Sequence, residues 1–152
     1  VAEKLESTKK ILSQLAQDEM DAAFIYEHAL RRVGEESIKT DLRIFFEEHK
    51  RHFRDLSSLL VKLGGYAPKH GKDIKGLLKE GYTIFKSLFG IEGLLKALKA
   101  NEESTIRTYE DSSKADLLRE ARELVRENLE DEHRHIEFIN TILSRIRKNR
   151  RL

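Results

Sequence analysis

The sequence predicts an all-α fold, a four-helix bundle of two antiparallel hairpins joined by a helical crossover. Three observations predict it. The 152 residues contain one Pro and eight Gly, so long segments run without a helix breaker. Apolar residues recur at alternating spacings of three and four, the signature of a buried helical stripe. The two halves of the chain are also versions of each other, 83 positions apart. That shift pairs Leu12 with Leu95, Leu15 with Leu98, Glu19 with Glu102 and Tyr26 with Tyr109. It also pairs Arg43 with Arg126, His49 with Glu132, Arg51 with Arg134, His52 with His135 and Leu60 with Leu143. One domain over 1–152 is expected, with hairpins over 7–63 and 91–148 and a crossover over 64–90.

The first helix is expected from Ser7 to Val33, stopped by Gly34 as its C-cap. Its seam is Leu12, Leu15, Glu19, Ala22, Tyr26, Ala29 and Val33. The second starts at Glu35–Ser37 and ends before Gly64-Gly65, with the seam Leu42, Phe45, His49, His52, Leu56, Leu59 and Leu63. So short a turn between them leaves only an antiparallel hairpin. Gly64-Gly65-Tyr66-Ala67-Pro68 opens the crossover. Ile74, Leu77, Leu78, Tyr82, Phe85, Leu88 and Phe89 then suggest a short amphipathic helix beside the bundle, weakened by Gly76 and Gly81. The third helix carries Leu95, Leu98, Glu102, Thr105 and Tyr109 and breaks at Asp111-Ser112-Ser113. Ser113 with Asp116 reads as a capping box for the fourth. The fourth seam is Ala121, Val125, Asn128, Glu132, His135, Ile139, Ile142 and Ile146.

Composition narrows the function classes. Hydrophobic residues make up 39% and charged residues 37%, as in a soluble globular chain. Cysteine is absent, which excludes disulfides, thiolate zinc sites and iron–sulfur clusters within this chain. No run approaches the roughly 20 apolar residues of a membrane span. No signal-peptide pattern opens the sequence, so the cytoplasm is the expected location, with Val1 reading as a trimmed start. The segment Ser144–Leu152 carries five basic groups. It reads as the solvated end of a helix, where cations suit the dipole, rather than as an anchor for nucleic acid or anionic lipid. No aromatic residue or second basic patch accompanies it. No Ser-His-Asp set or Gly-rich phosphate loop is evident.

Six ionisable residues interrupt the oily seams. Glu19 lies level with His49 and His52, each roughly 20 Å from the same turn at 1.5 Å per residue. The repeat sets Glu102 level with Glu132 and His135 in the same way. The three-residue spacing of His49 and His52, and of Glu132 and His135, puts both members of each pair on one face. Burying such groups unpaired costs several kcal/mol each, and the carboxylates alone would repel one another. Any one of them alone is best read as a polar face or satisfied core residue. All six in register across a repeat point to one or two divalent metal ions. Carboxylate oxygen and imidazole nitrogen suit iron, manganese or zinc. Tyr26 and Tyr109 read either as hydrogen-bond partners of the ligands or as half-buried core tyrosines.

A Glu on one helix, followed by Glu-x-x-His on its partner and then repeated, resembles the ligand pattern of ferritin-like diiron proteins. The second half matches fully, through Glu102, Glu132 and His135. The first half departs once: Glu19 and His52 match, but His49 stands where the family has a glutamate. The layout is similar to the small stand-alone ferritin-like proteins of bacteria, related to rubrerythrins but without their cysteine-ligated rubredoxin module. The resemblance implies two metal ions, iron first, held by Glu19, His49, His52, Glu102, Glu132 and His135. It also implies an oxidoreductase that reacts with dioxygen or peroxide and draws electrons from a partner protein or substrate. The alternative is a bundle that binds metal without turnover, in iron handling or stress. A homodimer is expected, and nucleic acid is not an expected partner. With His49 in that place, two divalent ions lie one carboxylate short of neutrality. A bridging hydroxide or an outer glutamate, Glu48 or Glu103, would restore balance; a single metal, or one strong and one weak site, is the other reading.

Overall fold

The computed structural model describes residues 1–69 and 90–151. Four helices account for most of them: α1, Ala2–Leu30; α2, Glu36–Lys62; α3, Gly90–Ser113; and α4, Arg119–Asn149. The hairpins are α1 with α2 and α3 with α4, and they pack so that α1 meets α3 and α2 meets α4. The expected crossover helix falls on 70–89, outside the described residues. No helix among the described residues is long and apolar enough to cross a membrane.

The first seam is buried at every expected position, from Leu12 to Val33. α1 nevertheless begins five residues early and ends three residues early. Gly34 is not its cap. Both the Arg32 and Val33 N–H groups donate to the Ala29 carbonyl at 3.0 Å, so the helix closes in a tight turn. The second stop is the one expected. Gly64 takes φ +86°. Its N–H donates to the Val61 carbonyl (3.0 Å) and the Gly65 N–H to the Leu60 carbonyl (2.9 Å), a Schellman closure that satisfies two terminal carbonyls.

Three other expectations are corrected. α3 does not break at Asp111; it runs to Ser113, with the Ser112 hydroxyl donating to the Thr108 carbonyl and the Ser113 hydroxyl to the Glu110 carbonyl. Ser113 and Asp116 form no capping box. α4 starts at Arg119 with no side-chain cap, Asp116 pairs with Lys4 at 2.7 Å, and buried Thr8 accepts the Leu118 N–H. The seams of α2 and α4 also drift at their ends. Leu60 and Leu143 are buried, whereas Leu59, Leu63 and Ile146 are only partly so. A straight helix of 3.6 residues per turn slips about 20° per heptad against a 3.5-residue seam.

The core falls into two apolar clusters along the bundle. One holds Tyr26, Val33, Leu42, Phe45, Leu98 and Ile139 near the α1–α2 turn. The other holds Leu12, Leu15, Leu56, Leu60, Tyr109 and Val125 at the opposite end. The ionisable residues lie between them.

Candidate metal centre

Glu19, His49, His52, Glu102, Glu132 and His135 are all fully buried. α1 supplies Glu19, α2 the two histidines, α3 Glu102, and α4 Glu132 and His135. Their donor atoms form two sets, each lying within 4.8 Å of one another. One set is Glu19, His49, His52 and Glu132; the other is His49, Glu102, Glu132 and His135. His49 and Glu132, paired by the repeat, belong to both.

Within the first set, His52 Nδ1 lies 3.1 Å from Glu19 Oε1 and 3.0 Å from Glu132 Oε1, and His49 Nδ1 lies 2.7 Å from Glu19 Oε2. Within the second, His49 Nε2 lies 3.2 Å from Glu102 Oε1. His135 Nδ1, Glu132 Oε2 and Glu102 Oε2 are buried without a hydrogen-bond partner. Buried polar atoms nearly always have one. Three unsatisfied donors on one side of the layer, of oxygen and nitrogen type, fit a divalent cation.

Without a cation the cluster shares protons. Burial would raise Glu19, but the charge of His49 and the hydrogen bonds from His49 and His52 hold it down to about 2. Burial would lower His52, but hydrogen bonds to Glu132 and Glu19 lift it to about 9. His49 is also lifted well above its usual range; its burial is outweighed by the charges of Glu132, Glu102 and Glu19. Glu132 is pushed up by burial and by the charge of Glu19. Protons therefore occupy the middle of the cluster, and a cation must displace them.

A second ring of groups holds two of the buried histidines. Nε2 of His52 lies 2.8 Å from Asp131 Oδ2, and Nε2 of His135 lies 2.6 Å from Glu48 Oε2. Arg51 donates to Asp131 at 2.6 Å, and Arg134 donates to Glu48 at 3.2 Å. These four residues obey the same shift of 83: Glu48 pairs with Asp131 and Arg51 with Arg134. Each imidazole thus presents Nδ1 inward and spends Nε2 on a carboxylate that an arginine anchors. Glu103, the other outer glutamate considered from sequence, only approaches Lys99 at 3.9 Å on the outside. Asp131 was not anticipated, although the repeat of Glu48 points to it.

Both tyrosines are fully buried. Each donates to the seam glutamate of the other hairpin's first helix, Tyr109 to Glu19 at 2.5 Å and Tyr26 to Glu102. The halves differ behind them. Asn128 donates to the Tyr109 hydroxyl at 3.1 Å, whereas its repeat partner Phe45 sets its ring edge-on to Tyr26 and lies tilted against the His135 ring, 4.3 Å between centroids. Asp131→Asn removes the charge behind His52 while keeping the side-chain shape. It is expected to weaken metal binding about 10–100-fold in a chelator-competition titration. Glu103→Gln, on the exposed face, should leave binding unchanged.

The fold is that of a ferritin-like four-helix bundle. A crystal structure described as ferritin like, diiron-carboxylate proteins, from Bacillus anthracis str. Ames, is similar at a TM-score of 0.71 and 16% identity, covering 92% of this chain and 97% of that one. At that identity the likeness concerns the fold. The chain belongs to the family described as Domain of unknown function (DUF2383), whose profile matches residues 7–115. The matched stretch includes Glu19, His49, His52 and Glu102 and stops before α4. No curated protein matches the chain.

Proposed function

We propose that this protein binds two divalent metal ions, iron first, and acts as an oxidoreductase with dioxygen or peroxide as co-substrate and a partner protein or substrate as electron donor. The observation that supports it best is the pair of four-donor sets, fully buried and sharing His49 and Glu132. Glu19 and His52 would hold one ion, and Glu102 and His135 the other. When bound, the metals would supply the redox chemistry and the binding of a small oxidant. The chain's own residues do the rest. Asp131 and Glu48 fix the imidazole tautomers, since each accepts the Nε2 proton. Tyr26 and Tyr109 keep their hydroxyl protons, because burial first and the charges of Glu102 and Glu19 next raise both well above the usual range. They can orient the two terminal glutamates without ionising. The two apolar clusters keep water from both ends of the layer, and full burial restricts a co-substrate to the size of dioxygen or peroxide.

His49 in a glutamate's place favours a second reading, metal binding or iron handling without turnover. Anaerobic loading with ferrous iron, then exposure to dioxygen or hydrogen peroxide, separates the two. Oxidation much faster than that of free ferrous iron, lost in His52→Ala and His135→Ala, is expected of the oxidoreductase. Stable binding with no faster oxidation supports metal handling. Elemental analysis of protein purified without chelators identifies the metal.

A further inference from the structure

The two histidines that follow the repeat each have one nitrogen for the cluster. His52 and His135 both commit Nε2 to an outer carboxylate, Asp131 or Glu48. His49 is different. Among the described residues no outer carboxylate takes either of its nitrogens, and both face the buried glutamates of the layer. Its Nδ1 lies 2.7 Å from Glu19 Oε2 and 3.5 Å from Glu132 Oε1, within the first set. Its Nε2 lies 3.2 Å from Glu102 Oε1, within the second. The ring therefore lies across the boundary between the two sets, with one nitrogen on each side. Glu132, its repeat partner, does the same with its two oxygens. Oε1 is 3.0 Å from His52 Nδ1, and Oε2 is 3.4 Å from His135 Nδ1.

We propose that His49 bridges the two metal ions through its ring, with Nδ1 bound to the ion of Glu19 and His52 and Nε2 bound to the ion of Glu102 and His135. This rests on the metal-binding reading above and adds the mode of sharing. Each ion then receives two nitrogens and two oxygens: a terminal glutamate, a terminal histidine, one oxygen of Glu132 and one nitrogen of His49. Four N/O donors suit a first-row divalent ion. A ring bound through both nitrogens carries no N–H. Each ion that binds at a ring nitrogen displaces the proton there: that N–H bond breaks, its proton leaves to solvent, and its electron pair forms the new metal–nitrogen bond. The bridging ring is then an anion. With Glu19, Glu102 and Glu132 it supplies four negative charges against two divalent cations, and the buried layer becomes neutral. The carboxylate missing at position 49 is thus replaced in charge as well as in position, which the high cost of uncompensated charge in a buried layer requires.

Zinc is diamagnetic and of the right donor preference, so the full chain loaded with zinc and labelled with ¹⁵N tests this by NMR of the histidine rings. The expected spectrum has three zinc-bound rings at two zinc ions per chain. Two of them keep one N–H each, from His52 and His135, and the third has two zinc-bound nitrogens and no N–H. In His49→Glu that third ring should vanish while the other two remain. A third ring that keeps an N–H, or binding of one zinc only, overturns the bridge but leaves metal binding standing. Failure to bind zinc, iron or manganese at all overturns both the bridge and the metal-binding reading.

Discussion

Glu132→Gln is expected to cost the protein both metal ions, whereas Glu19→Gln and Glu102→Gln should each cost one. The reason is geometric. Glu19 belongs only to the set with His52, Glu102 only to the set with His135, and Glu132 to both. Gln keeps the volume of Glu, so the bundle need not repack, but the neutral amide presents one oxygen and one NH2 group in place of two anionic oxygens. Its Nε2 would take either the place of Oε1, which lies 3.0 Å from His52 Nδ1 in the native chain, or the place of the unpartnered Oε2. The loss should exceed the about 10–100-fold that removal of an outer partner brings. Metal-to-chain ratios after equilibration with a weak chelator measure it. Equal losses in all three variants would mean that the two sets do not act as separate positions.

The stability of the metal-free protein should depend on pH in the opposite sense to that of the metal-bound form. His52 rises from its ordinary 6.5 to about 9 in the fold. Its contribution is therefore complete below pH 6.5 and is lost as pH climbs through about 9. That difference corresponds to about 3 kcal/mol, to order of magnitude. His49 and Glu132 are raised as well, so their contributions also fade toward alkaline pH. Glu19 works the other way. It falls from 4.5 to about 2, so its contribution is complete above pH 4.5 and is lost as pH falls through about 2. The metal-free chain should melt highest between about pH 4.5 and 6.5 and lower toward pH 9. Metal uptake displaces the same protons, so added metal should raise the melting temperature little at pH 5 and most at pH 8. Thermal melts with and without metal across that range decide it. A metal-free melting temperature that rises steadily from pH 5 to 9 would contradict the proton-filled cluster.

Much of this protein is legible in the sequence. The 3–4 spacing and the 83-residue shift identified four helices, two hairpins and the six seam residues that the structure brings into one buried layer. Hairpin geometry explains why: a short turn fixes the register of two antiparallel helices, so position along the chain becomes height along the bundle. The ends of elements were less legible. The Gly34 cap, the break at Asp111 and the capping box at Ser113 all rested on residue type. Each lost to a tertiary or local competitor: the bifurcated Ala29 carbonyl, serine bonds back to the preceding turn, and Thr8 reaching across to Leu118.

The sequence by itself determined the architecture, the repeat and which residues share the polar layer, because periodicity and register are one-dimensional quantities. Only the tertiary structure decided where each nitrogen and oxygen points. Glu48 and Asp131 are turned about 100° from the seams of their own helices, so no periodicity argument joins them to His135 and His52. They reach those rings because α2 and α4 lie side by side and the long carboxylate of one helix meets the imidazole of the other. The same holds for His49. Its residue type breaks the repeat in the sequence, but its two nitrogens fall on opposite sides of the layer only because α1 and α3 carry Glu19 and Glu102 to either side of it.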